Sequence, residues 1–199
     1  MKTQFAFILL ICFGYALLSC SEDMPKKTKD FTPEVEDYEF YIEGNLDNKL
    51  LRYQQIDFES TNVSNKYFID DKETWLQAYP DSSAENIGYW KIRFHDLDIK
   101  NVTLPHVLLE SQGGITWYDQ RIDAIIESNS KCQGPDAGCT FGLASGEGSI
   151  VLTSNENNIL EGEFSGNAFL IGFGMVPFSD TTMFHEVVNG KFKIKYREE

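Results

Sequence analysis

The stretch from Leu160 to Leu170 alternates with a period of two. Leu160, Gly162, Phe164, Gly166, Ala168 and Leu170 fall on one face of an extended chain, and Glu161, Glu163, Ser165 and Asn167 on the other. Only a β-strand sends successive side chains to opposite faces, so this segment cannot bury its apolar set as a helix. The same rhythm returns near the end of the chain, where Phe192, Ile194 and Tyr196 alternate with Lys191, Lys193 and Lys195. Between the two, Gly172-Phe173-Gly174 and Pro177 break the pattern, and Val187 resumes it. Upstream, Gly148 to Thr153 reads as a strand and Ser154-Asn155-Glu156-Asn157-Asn158 as its turn. Strands joined by short polar turns pair with their neighbours, so the last third of the chain is committed to an antiparallel sheet.

The earlier segments fit the same class. Tyr38 to Glu43 alternates loosely, and Leu50 to Phe58 follows after a turn at Asn48. In Tyr89–Ile99, Trp90, Ile92 and Phe94 share one face and Lys91, Arg93 and His95 the other. The phase slips at Asp96, which predicts a β-bulge there. Pro105 places residues 101–110 at a sheet edge or in a loop. Ile115 to Tyr118 and Arg121 to Glu127 read as further strands. One segment reads as a short helix: Asp70 to Tyr79, with an Asp cap ahead of Glu73 and a stop at Pro80. The expectation is therefore a single all-β domain over residues 38–199. It is read as an antiparallel two-sheet β-sandwich of about ten strands with one short helix. A lipocalin-like β-barrel is the alternative, since a long Gly-punctuated strand also suits a closing barrel.

The N-terminal residues are of another kind. Lys2 precedes an apolar run from Phe5 to Leu18, fourteen residues, short of the roughly 20 needed to cross a bilayer. A basic start and a short apolar run describe a secretory signal. Its end, Leu17-Leu18-Ser19-Cys20, resembles the lipobox of bacterial lipoproteins. The resemblance implies cleavage of residues 1–19 and a lipid on Cys20, with the bilayer as the partner of the acylated residue. Ser21-Glu22-Asp23 resembles the surface-export signal of Bacteroidota lipoproteins, which implies an outer-membrane protein facing the cell exterior, the periplasmic face being the alternative. Residues 20–37, with Pro25, Lys26, Lys27 and Pro33, read as a lipidated flexible tether. At the far end, Gly148-Ser149-Ile150-Val151-Leu152-Thr153, then Ile159-Leu160-Glu161-Gly162-Glu163-Phe164-Ser165-Gly166, then Val188-Asn189-Gly190-Lys191-Phe192-Lys193-Ile194 resembles a domain common in Bacteroidota lipoproteins. Tyr41-Ile42-Glu43-Gly44 resembles that family's opening. The family has no assigned activity, so the resemblance implies no functional residues.

Removing nineteen residues from 199 leaves 180, enough for one core, and with Lys2 gone the net charge moves from −14 to −15. Such a body repels phosphates, which excludes nucleic acid as a partner. Cys12 leaves with the signal and Cys20 takes lipid, so Cys132 and Cys139 remain. Export favours a disulfide between them, closing a loop rich in turn formers. No second pair of ligands accompanies them, so neither a metal site nor a cofactor is expected. Asp70, Asp71 and Glu73 lack EF-hand spacing. His95, His106 and His185 lie on separate segments, and no HExxH, GxSxG or phosphate-loop motif is present, so no catalytic residue is assigned and the chain is read as a non-enzyme. Asp96 and Asp98 form only an ordinary carboxylate pair. The Lys191, Lys193, Lys195 row is expected to pair across strands with Glu161 and Glu163. Aromatic rings can stack on sugars, and among Trp75, Trp90, Trp117, Tyr89 and Tyr118 the adjacent pair Trp117 and Tyr118 is the candidate ligand site, because one of two neighbours on a strand must face outward. The expected function is a binding module for a glycan, a peptide or a partner protein. The alternatives are a structural subunit of an outer-membrane complex and, less favoured, a hydrolase.

Overall fold

A computed structural model describes residues 38–56, 65–80, 88–119, 132, 138–144, 148–173 and 178–199. The expectations for the signal segment, the lipid on Cys20, the tether and the strand at 121–127 lie outside these residues. The rest is all-β. Twelve strands occur among the described residues: β1 (Tyr41–Leu46), β2 (Lys49–Gln54), β3 (Lys66–Phe68), β4 (Glu73–Ala78), β5 (Gly88–Phe94), β6 (His106–Val107), β7 (Gly113–Asp119), β8 (Gly138–Ala144), β9 (Gly148–Glu156), β10 (Ile159–Phe173), β11 (Phe178–Lys195) and β12 (Arg197–Glu198). A 3-10 turn, Glu110–Gln112, precedes β7.

The strands form one sheet and not two. The order runs β12-β3-β4-β5-β7-β8-β10-β11-β1-β2, with β9 on β10 and β6 on β9. The expected sandwich needs two hydrogen-bonded sets facing each other; here hydrogen bonding links all twelve into one sheet. The sheet curls into a half-barrel, between the two architectures expected. Its curl brings the end of β2 to the residue after β4. Gln54 and Tyr79 exchange backbone hydrogen bonds of 2.9 and 2.8 Å there.

Strand β10 makes the curl possible. Its first half, Ile159–Gly166, carries β9, and its last, Phe169–Phe173, carries β8 on the same edge. Against β11 its register shifts twice, between Phe164 and Gly166 and between Phe169 and Leu170. Irregularities of this sort bend a strand and increase its twist. The hairpins follow turn chemistry: Asp47 and Asn48 join β1 to β2, and Asn157 and Asn158 join β9 to β10, all at positive φ. Two such residues match the right-handed twist of a two-residue hairpin, and Asn and Asp accept this conformation most readily.

The predicted helix at 70–79 is a strand. Thr74, Leu76 and Ala78 point inward and Glu73, Trp75 and Gln77 outward, with β3 on one side and β5 on the other. A capping pattern is a weak local preference, and pairing on both edges overrides it. The expected bulge at Asp96 is also absent. Strand β5 ends at Phe94, and Asp96 adopts φ 50° in a turn. The break expected from Gly172 does not begin there, since β10 runs on to Phe173; residues 174–177 lie outside the described ones, and β11 begins at Phe178, nine residues before the alternation resumes at Val187.

The concave side holds the core. Trp90, Trp117, Tyr67, Tyr196, Phe94, Phe141 and Phe192 are all fully buried in it. A Cβ on Gly190 would come within 2.5 Å of the Phe164 ring, so glycine there is what lets that ring lie flat on the strand. Cys132 and Cys139 form the expected disulfide, with their Cα atoms 5.3 Å apart.

Candidate functional site

The aromatic residues divide cleanly between the two faces of the sheet. Trp117 points inward. It is 2 % exposed and packs against Phe141, Trp90 and the edge of His185. Its indole N–H faces the Tyr53 hydroxyl at 3.5 Å, and that hydroxyl donates to the buried Asp119 carboxylate. Tyr118 points outward, half-buried, and packs at 5.9 Å against its cross-strand partner Tyr89. The two residues of the expected ligand pair thus lie on opposite sides of the sheet. Trp117 belongs to the core, and Tyr118 alone is on the outer surface.

The outward residue with the richest surroundings is Trp75 on β4. Register sets it beside Arg93 on β5, and Gln77 beside Lys91. The Arg93 guanidinium lies over the Trp75 ring at 4.6 Å, and the Lys91 ammonium lies 5.6 Å from it. Cations are held over indole faces by the ring quadrupole. Glu73 organises the group. It accepts the Trp75 indole N–H at 2.9 Å, shares a 2.9 Å contact with His95 Nδ1, and pairs with Arg93 at 3.6 Å. The bond to His95 is the largest influence and, joined by the Trp75 bond and the charge of Arg93, it outweighs the opposing effect of burial and holds the Glu73 carboxyl below the usual carboxylate range. Lys91 has no carboxylate partner among the described residues. Burial, and secondly the repulsion of Arg93, push its ammonium below the usual lysine range.

Beside Arg93 lies a shallow hollow of about 240 Å³. Arg93, His95 and Thr116 line its polar rim, and Gly114, Gly142 and Ile171 its apolar floor. Ile171 leans across the buried Gly142 and fills the space above it, its Cδ1 lying 2.2 Å from where a Cβ would stand. Beyond it, Phe169 and the exposed Phe184 stack at 6.0 Å on the same outer side.

A larger hollow, about 410 Å³, lies over β9–β10–β11 among Ser149, Glu163, Ser165 and Lys191. Its charges answer one another. Glu161 faces Lys193 and Glu163 faces Lys191 in register, and Lys193 contacts Glu161 at 3.3 Å. The lysine row is thus matched across strands as the sequence suggests, except that Lys195 faces Ile159.

The three histidines are not brought together. His95 contacts Glu73, His106 contacts Gln112 at 3.3 Å, and His185 contacts Asp47. Asp98 sits in the loop after β5, where the Asn101 amide, the Tyr67 hydroxyl and the Lys100 N–H hold its carboxyl low. The Tyr67 hydroxyl is pushed up to about 12, by burial first and by Asp98 second. These hydrogen bonds tie the loop to Tyr67. No group of His, Cys, Asp and Glu able to hold a metal occurs among the described residues.

Sequence reading missed Trp75 because a helix put it on the wrong periodicity. The signal was present: Lys91, Arg93 and His95 on one face need an outward neighbour, and Trp75 is the only aromatic residue on β4. No family model matches the chain, and neither the curated proteins nor the solved structures contain a match.

Proposed function

We propose that the chain is a lipid-anchored, non-enzymatic binding module whose ligand docks on the outward face of β4, β5 and β7. The lipobox-like Leu17–Cys20 and the acidic residues after it support an outer-membrane lipoprotein on the cell exterior. The resemblance of both ends of the domain to Bacteroidota lipoproteins is in keeping with that setting. The observation that carries the reading is the group around Trp75, where two cations lie within 5.6 Å of an indole on an outer surface. A core does not need them there, and Trp and Arg are the residues that most often dominate the energy of a binding surface. Three histidines tied to three separate partners favour binding over catalysis.

The test is binding by the purified lipidated protein in detergent, titrated with a panel of oligosaccharides and peptides. The expected result is a saturable ligand whose affinity falls at least tenfold in Trp75→Ala and is unchanged in Lys193→Ala. Equal affinity in both variants would remove the outward face of β4–β5–β7 from the account. A second reading, a structural subunit of an envelope complex, draws on Val107 and Leu109, which are 61 % and 63 % exposed. Co-migration with other envelope proteins, lost in Val107→Ser and Leu109→Ser, would favour it.

A further inference from the structure

We propose that the hollow beside Arg93 binds a carboxylate-bearing saccharide, its carboxylate received between Lys91 and Arg93 and its ring seated over Gly114 against the Ile171 side chain. The proposal rests on the reading of the outer face as a binding surface and names its ligand class.

Charge is the first ground. The chain carries −14, yet Lys91, Arg93 and His95 stand in one row, of which Glu73 contacts Arg93 and His95 but not Lys91. Lys91 and Arg93 are two apart on one strand, about 6.6 Å along it. Both are braced by the Trp75 ring. Arg93 remains 44 % exposed, with Glu73 3.6 Å from one of its nitrogens. Among the described residues, Lys91 has only the indole face. Two adjacent cations, one half-buried and without a counter-charge among the described residues, attract an anion that desolvates with them. The guanidinium fork matches the planar carboxylate in particular.

Topology decides between a saccharide and a peptide. Extended peptides gain most of their affinity by adding to a free strand edge. Strands β4, β5, β7 and β8 each have a neighbour on both sides, so this surface offers no backbone edge. What it offers is a floor at Gly114, an apolar wall at Ile171 and side-chain hydrogen-bonding groups at Thr116 and Gln77, which lie on either side of Lys91 in register. A sugar ring presents an apolar face and hydroxyls to such a surface.

The test uses the purified lipidated protein and trigalacturonate, with binding followed by calorimetry. Saturable one-to-one binding is expected, weakened at least tenfold by methyl esterification of the ligand and by either Lys91→Met or Arg93→Gln. Lys91→Met removes a half-buried charge and should keep or raise the melting temperature, which separates lost binding from lost folding. Equal affinity for the ester, or for Lys91→Met, would overturn the proposal. So would binding of a poly-glutamate peptide, or of a sulfated carrageenan oligosaccharide lacking carboxylates, as tight as that of trigalacturonate. If trigalacturonate fails while another ligand binds in a Trp75-dependent way, the saccharide assignment falls and the outer-face reading stands. If nothing on the panel depends on Trp75, both fall.

Discussion

Glu73 shows what one residue decides. Its position in sequence suggests a helix cap, yet its carboxylate ties together Trp75, His95 and Arg93. Because its folded-state pKa is depressed, the unfolded chain binds the proton more tightly, and stability rises with pH across its titration. That contribution is present above the ordinary carboxylate value and is lost as pH falls through the lower, folded-state value. Glu73→Gln should therefore flatten the acid limb of the stability–pH curve and lower the melting temperature at neutral pH. Acid unfolding curves of the two proteins that superimpose would show that the cluster is not held by this carboxylate. The inward residues were legible from the sequence at this scale: Trp90, Ile92 and Phe94 are buried as their alternation requires. Partners of outward residues were not, because period two says which face a side chain takes and nothing of which strand lies beside it.

At the scale of elements, strands with long alternation and turns with Asn pairs were legible, and β4 was not. Six residues are too few for a periodicity to compete with a capping pattern, and the pairing that settles the matter comes from β3 and β5. The Cys132–Cys139 link was legible because export, spacing and turn formers all favour it. The sequence separation is 7, and closing so short a loop stabilises by roughly 2–3 kcal/mol through the unfolded chain. Cys139→Ser should lower stability by about that amount while leaving a cooperative transition, since large buried rings such as Trp90, Phe94 and Phe192 lie on other strands. Chemical denaturation at constant slope checks this. An unchanged midpoint would mean that the loop is equally constrained without its bond.

For the whole molecule, the class was legible and the closure was not. Ten strands in one curled path with β9 and β6 branching from β10, and Gln54 meeting Tyr79, depend on contacts between segments far apart in the chain. Attachment is a separate matter of the N-terminal residues. A single acyl chain anchors only marginally, and several at ~0.8 kcal/mol per buried CH₂ anchor stably. Cys20→Ala should thus move the protein from washed membranes to the soluble fraction, and its persistence in membranes would remove the lipid anchor from the account. The central claim, that the working surface is the outward face around Trp75, is tested most directly by oxidative footprinting on intact cells against the purified protein. The account predicts that Trp75 and Tyr118 are protected on cells, while Met183 and Phe184 change little and the buried Trp90 and Trp117 stay unreactive in both. Equal reactivity of Trp75 and Tyr118 on cells and in isolation would contradict it.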